Sequence, residues 1–184
     1  MTRLFLALAT LLAASTARAD LLIEPYLGYG FTGHNNAGSV TGVSTVNNSQ
    51  TGPEFGARVG YQSLGFMLGL DYMTGSVTDN ATAKDTITPN DLGVFVGYKF
   101  PMLLRVYGEY VPLSDPKVSN SLGTQKPDGS ALKAGAQYTG LPFVAIGLEY
   151  YKATYTKDKQ SSLPYSPNIT SDMISVTLSL PLTL

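Results

Sequence analysis

The sequence predicts an all-β fold, an eight-stranded antiparallel up-and-down barrel that crosses a membrane with its strands. Three observations support this prediction. Apolar and polar residues alternate with a period of two, short turns alternate with long polar loops, and no position on the apolar faces is charged. Because successive side chains of a strand point to opposite faces, the alternation indicates strands with one apolar and one polar face.

The clearest hairpin runs from Asp91 to Val111, with a tight reversal at Phe100–Pro101–Met102. One face of each strand is rich in leucine, valine and tyrosine. A soluble sheet hides its apolar face, whereas the polar face here holds charges of both signs between glycines. This pattern is typical of a barrel hairpin whose outside contacts lipid and whose inside lines a polar lumen.

The first 19 residues have the features of a secretory signal peptide. Arg3 gives a positive start, residues 4–14 form a short apolar core, and Ala17-Arg18-Ala19 fits a small-residue cleavage site. The core is too short to span a bilayer. We therefore expect a removable leader at 1–19 and an exported barrel domain at 20–184.

Eight strand candidates follow the leader, and the first of them contains Pro25. Proline cannot donate to a ladder, so we expect Pro25 near a strand start or at a bulge. The last candidate alternates leucine, isoleucine and valine with serine and threonine, and Pro181 removes one ladder donor from it. The candidates are residues 21–31, 54–62, 66–73, 91–100, 104–111, 131–138, 143–152 and 172–184.

Three hairpins share one plan, with a tyrosine before the tight turn and an acid–tyrosine pair at the far end. Long structureless loops are uncommon in compact soluble domains. Four of them at one end of a sheet fit a membrane barrel with short turns at its other end, and strands of roughly 9–11 residues cross a bilayer. The predicted loops are residues 32–52, 74–90, 112–130 and 153–171.

The charged residues of the strands fall on the face predicted to line the lumen. An eight-stranded barrel is just filled by its side chains, and an isolated buried ion is very costly. We therefore expect a salt-bridge network that fills the lumen as a structural element, with an ion path or active site as the alternative. The predicted members are Glu24, Arg58, Asp71, Lys99, Arg105, Glu109, Lys133 and Glu149.

Aromatic residues recur at the ends of the apolar faces. A ring that is apolar with a polar tip belongs at a headgroup boundary, so we expect two aromatic girdles, with ordinary core aromatics as the alternative. The turn-side set is Tyr61, Phe66, Tyr98, Tyr138 and Phe143, and the loop-side set is Tyr29, Tyr72, Tyr110 and Tyr150.

The chain contains no cysteine, which excludes disulfides and thiolate chemistry. Of its 12 lysines and arginines, Arg3 and Arg18 belong to the leader, which leaves 10 against 13 acidic residues. This mildly acidic balance gives no indication of a nucleic-acid partner. With a single histidine and no cysteine, we expect neither a metal site nor a cofactor.

The mature chain resembles the small eight-stranded outer-membrane barrels of Gram-negative bacteria, the outer-membrane protein A and X group. The resemblance rests on the leader, the start LLIEPYLGYGF, the VGY and E-Y hairpin ends and the final strand ISVTLSLPLTL. It implies location in the outer membrane, contact with lipid and lipopolysaccharide, and insertion by the barrel assembly machinery. Two departures are Leu184, where members commonly end in an aromatic residue, and Pro181.

The sequence favours a structural or surface-interaction barrel that acts through its outer loops on an extracellular ligand. Three alternatives stay open, namely a narrow conduit for small solutes, a lipid A-modifying enzyme, and a soluble lipocalin-like barrel with reversed faces. Acyl transfer needs a base next to its nucleophile, and the one histidine is His34, with Ser39 and Glu54 as candidate partners. We expect a solvated loop histidine and no enzyme.

Overall fold

The computed structural model describes residues 19–37, 46–79, 85–120, 123–159 and 164–184. The predicted signal peptide lies outside these residues except for Ala19. The strands of the described residues are β1 Asp20–Ala37, β2 Val46–Ser63, β3 Phe66–Gly75, β4 Val77–Asp79, β5 Asp85–Thr88, β6 Asn90–Lys99, β7 Leu104–Ser114, β8 Lys117–Asn120, β9 Gly123–Gln125, β10 Pro127–Tyr138, β11 Ala145–Asp158, β12 Pro164–Ser179 and β13 Leu182–Thr183.

Eight long strands close into one antiparallel barrel. Around the barrel the order is β1, β2, β3, β6, β7, β10, β11 and β12, and β1 pairs with both β2 and β12. The predicted eight-stranded up-and-down barrel is therefore confirmed. No helix among the described residues is long and apolar enough to cross a membrane.

The apolar side chains face outward and the charged ones face the lumen. Val96 and Leu148, on β6 and β11, are 59% and 53% exposed, whereas Arg58 and Lys133 are 1% and 3% exposed. The exposed apolar side chains on the outer faces of the barrel strands form a continuous apolar belt. A soluble monomer rarely exposes a continuous apolar surface of this extent to water. The predicted assignment of the two faces is confirmed, and the reversed-face lipocalin-like barrel is excluded.

The strands are longer than the alternation predicts, and all four predicted loops contain further ladders. On the loop side β1 continues to Ala37, β11 continues to Asp158, and β12 begins at Pro164. Above the apolar belt both faces of a strand can be polar, so the two-residue pattern disappears although the backbone pairing continues. The predicted loops 74–90 and 112–130 include the short hairpins β4–β5 and β8–β9.

The two prolines of the first and last strands lie close together where these strands meet. Pro25 is inside β1, opposite Ala57 of β2, and not at a start or bulge as predicted. Leu180 donates its N–H to the Pro25 carbonyl at 3.0 Å, but Pro25 has no N–H to return the bond. The last strand is correspondingly interrupted between β12 and β13, while its register on β1 stays the same.

Candidate functional site

The lumen contains a cluster of ion pairs centred on Arg58. Its guanidinium lies 2.8 Å from Glu149 (Nη2–Oε1), 3.2 Å from Asp71 (Nε–Oδ2) and 3.3 Å from Glu24 (Nη1–Oε1). These carboxylates come from β11, β3 and β1, while Arg58 itself is on β2. One guanidinium therefore joins four of the eight barrel strands, because its fork of donors serves several acceptors at once.

Two tyrosine rings enclose the same guanidinium. The Arg58 Cζ atom is 4.3 Å from the ring centroid of Tyr26 and 4.4 Å from that of Tyr107. Arg58 also donates a 2.8 Å hydrogen bond to the Tyr107 hydroxyl. A Cβ atom at Gly135 would overlap the Tyr107 ring, so the inward glycine provides the space for this ring.

A second cation, Lys133 of β10, extends the cluster. Its Nζ lies 2.7 Å from Asp71 Oδ2 and 3.1 Å from Glu109 Oε2. The other Asp71 oxygen accepts a 3.0 Å hydrogen bond from the Tyr26 hydroxyl. Asp71 thus receives both cations and a phenol, which compensates for the solvation that it loses on burial.

The third enclosed cation, Arg105, lies toward the turn side. It pairs with Glu24 and donates from Nε to Gln137 at 2.8 Å. Gln137 and the two lumen tyrosines have no formal charge, so the charge pattern alone does not predict them as members of the network. Their inward position in the alternation is the sequence signal that identifies them.

Lys99 is the one predicted member that the structure does not bring into the cluster. It lies directly opposite Arg105 at the end of β6, and its side chain is exposed. At the turn-side mouth of the barrel the ammonium reaches water, which removes the need for a buried partner. The structure thus brings together the other seven predicted residues.

Two further buried carboxylates, Glu54 and Asp91, lie above this cluster on the loop side. Glu54 accepts a 2.9 Å hydrogen bond from Ser175, and Asp91 accepts a 2.7 Å hydrogen bond from Tyr151. Within the described residues, neither has a cation within 4.0 Å, and each keeps one oxygen without a hydrogen bond. The lumen therefore has a cation-rich level and an acid-rich level.

Replacing Glu54 by glutamine is expected to change the free energy of unfolding by less than about 1 kcal/mol, because no cation depends on its charge. The matched substitution Glu149→Gln is expected to cost about 3–5 kcal/mol, because it leaves Arg58 under-compensated. Urea unfolding in lipid vesicles measures both values. Equal losses would contradict the separation of the lumen into two levels.

Eight of the nine predicted girdle residues have exposed rings at the ends of the barrel wall. The exception, Tyr98, is half-buried because it makes edge contacts with Phe66 and Phe100, at centroid distances of 4.8 and 4.9 Å. On the loop side, Tyr72 donates a 3.0 Å hydrogen bond to the side chain of Asn90. The rings combine an apolar contact area with a hydrated tip, which suits a headgroup boundary.

His34 lies on the outer side of β1, away from the candidate partners that the sequence suggested. Its Nδ1 is 3.6 Å from Asp172 Oδ2, on the neighbouring strand β12. Glu54 is enclosed in the lumen, and Ser39 lies outside the described residues. The structure does not bring His34 and Glu54 together. Among the described residues no group of three or more acidic, histidine or cysteine side chains could hold a metal ion.

The short strands form a second sheet on the loop side. Gln50 and Thr51 of β2 pair with β4, β4 pairs with β5, β5 with β8, and β8 with β9. We call β4, β5, β8 and β9 the loop-side sheet. Next to it, Lys159 pairs with Asp115, and this hydrogen bond raises the pKa of the lysine above its ordinary value.

The closed eight-stranded wall, the exposed apolar belt and the enclosed ion pairs together define the architecture of a small outer-membrane β-barrel. No protein family and no curated protein matches the sequence. Solved structures of outer-membrane proteins share the fold, and two of them serve as examples. Neisserial surface protein A (NspA) matches with a TM-score of 0.58 and 14% identity, over 87% of this chain and 96% of that chain.

The second structure is Ail, the attachment invasion locus protein of Yersinia pestis, in complex with the heparin analogue sucrose octasulfate. It matches with a TM-score of 0.57 and 11% identity, over 89% of this chain and 99% of that chain. At these identities the likeness shows a common fold. It leaves the role of this chain to be inferred from its own residues.

Proposed function

We propose that the protein is an integral protein of the bacterial outer membrane whose function is surface interaction through its loop-side sheet. In this proposal the leader at 1–19 directs export, and residues 20–184 insert as a barrel surrounded by lipid and lipopolysaccharide, assembled by the barrel assembly machinery. The apolar belt and the terminal aromatic rings support the membrane placement. The loops then face outward and the tight turns face the periplasm.

The loop-side sheet is the observation that carries the proposed interaction. Four short strands extend the ladder of β2 beyond the apolar belt, so the segments between the barrel strands are held by backbone hydrogen bonds. Val77 of β4 is only 2% exposed, which anchors this extension by a buried contact. An ordered surface loses less conformational entropy on binding than flexible loops do.

The filled lumen argues against the conduit alternative. Arg58 contacts side chains from β1, β3, β7 and β11 across the interior. Opening a path through this level would separate ion pairs that have no access to water. The position of His34 likewise gives no support to the lipid A-modifying alternative, because its 3.6 Å contact with Asp172 exceeds hydrogen-bond length.

Membrane placement is tested by isolating outer membranes and comparing electrophoretic mobility with and without boiling. We expect the protein in the membrane fraction, with an unboiled form that migrates faster because the closed barrel stays folded. Recovery of the protein in a detergent-free periplasmic extract would contradict the placement.

Removing the β4–β5 part of the loop-side sheet is expected to abolish surface binding and to leave the barrel folded. Thr74 and Asn90 are directly opposite each other in β3 and β6, so an Asn-Gly turn in place of residues 75–89 joins two residues that already face each other. Immobilised heparin is the first probe, because Ail was solved with a heparin analogue.

The retained fraction of purified barrel on heparin is the measurement, and Lys99→Gln at the opposite mouth is the matched control. We expect the shortened variant to lose at least about tenfold in binding, because it lacks part of the ordered contact surface, and we expect the control to bind normally. Unchanged binding by a folded, shortened variant would contradict a role for the loop-side sheet.

A further inference from the structure

The lipid-facing wall contains a groove that the proposed surface interaction does not use. It has a volume of about 580 Å³ and lies across β6, β7, β10 and β11. Gly108 and Ala134 form its floor, and Val96, Tyr110, Leu132 and Tyr150 are among the side chains around it. The groove is therefore a local depression in an otherwise bulky apolar belt.

The register of the strands explains the depression. Gly108 and Ala134 are directly opposite each other on β7 and β10, and their next neighbours in the same row are Val96 and Tyr150. A Cβ atom added at Gly108 would meet nothing within 4 Å. The small pair is thus open to the surroundings and does not serve the packing of this chain, unlike Gly135 on the inner face.

The groove continues from the loop side toward the turn side. A second depression of about 430 Å³ shares Ala134 and Tyr150 with the first and extends past Ala136. Ala136 follows Ala134 on the same face of β10, so the two depressions run along the strand. Their combined shape is elongated and apolar, which suits a hydrocarbon chain more than a compact polar group.

A cation lies at the loop-side end of this groove. Lys152 of β11 lines the first depression, is exposed, and is directly opposite Leu132 in β10 and Asp172 in β12. Within the described residues it has no ion pair within 4.0 Å, whereas Asp172 lies 3.6 Å from His34. Lys152 is thus an available positive charge beside the loop-side ring Tyr150.

We propose that this groove binds a phosphorylated membrane lipid, with an acyl chain over Gly108 and Ala134 and the phosphate on Lys152. The proposal rests on the membrane placement proposed above. The positive charge of Lys152 favours a lipid with an anionic headgroup as the occupant of the groove, because an ammonium group at the headgroup level attracts an anionic headgroup.

The test uses a doxyl-labelled phosphatidic acid, titrated into the barrel in dodecyl maltoside micelles, which contain no phosphate. Paramagnetic relaxation of backbone amides is measured by NMR. We expect stronger broadening at Gly108 and Ala134 than at Ala57, a small lipid-facing residue on the opposite wall. A doxyl-labelled diacylglycerol without the phosphate should give weaker and more uniform broadening.

Two pairs of matched variants locate the site. Lys152→Gln is expected to weaken the apparent affinity for labelled phosphatidic acid about fivefold, whereas Lys99→Gln at the turn-side mouth should not change it. Gly108→Leu should remove the preferential broadening around the groove, whereas Ala57→Leu should preserve it.

Equal broadening at Gly108 and Ala57, or an unchanged titration with Lys152→Gln, would overturn the lipid site and leave the membrane placement intact. Failure of the membrane placement itself has a different signature. In that case the label would broaden no part of the apolar belt, and the protein would stay in solution without detergent.

Discussion

Replacing Arg58 by methionine is expected to lower the free energy of unfolding by about 3–5 kcal/mol. The substitution keeps an elongated side chain but leaves Glu24, Asp71 and Glu149 without their common cation. It also removes a guanidinium held between two tyrosine rings. Urea unfolding in lipid vesicles, followed by the mobility of the unboiled protein, measures the loss.

Two controls separate the lost charge from a general defect in folding. Lys99→Met removes a cation that is exposed at the turn-side mouth, and we expect little change in stability. Adding Glu149→Gln to Arg58→Met removes one of the uncompensated charges, so the double variant should be more stable than the sum of the two single losses predicts. Strict additivity would show that the ion pairs do not act as one cluster.

An arginine in place of Leu70 is expected to destabilise the inserted barrel by about 2–4 kcal/mol. Leu70 is on the outer face of β3, between the aromatic residues Phe66 and Tyr72, and it is 54% exposed. In water an exposed arginine would cost almost nothing, whereas hydrocarbon solvates its charge poorly. Reversible unfolding from vesicles is the appropriate measurement.

The matched control is Leu64→Arg, in the tight turn between β2 and β3. Leu64 is 76% exposed and lies outside the apolar belt, so the same change of side chain should cost at most about 1 kcal/mol. Similar values for the two variants would show that the belt does not face hydrocarbon.

The barrel strands could be predicted from the sequence because lipid on one side and a polar lumen on the other impose opposite demands on alternate residues. On β6, Val94 and Val96 are exposed on the outer face and Asp91 is buried on the inner face, while Phe95 is an apolar exception that faces the lumen. The loop-side strands could not be predicted in this way. In β4 and β8 the ladder is formed by residues whose polarity shows no alternation, so only backbone pairing identifies them.

The lumen cluster was predictable in part. Its charged members could be selected because they occupy inward positions, but the partners of each cation depend on the barrel diameter and strand stagger, which the pattern of residues does not specify. Arg58 reaches Glu149, 91 positions away in the chain. Lys99 also occupies an inward position in the alternation, but it is the last residue of β6 and is exposed at the mouth of the barrel. The alternation does not show where along a strand the enclosed part of the lumen ends.

The join between the first and last strands has one further consequence. Pro25 returns no hydrogen bond to Leu180, and the final strand is interrupted at the same height. Fewer ladder bonds per residue mean a lower cost of local separation. Among the barrel strands, the amide protons next to Pro25 and Leu180 should therefore exchange with solvent earliest. The first and last strands should also separate here first when the barrel opens laterally.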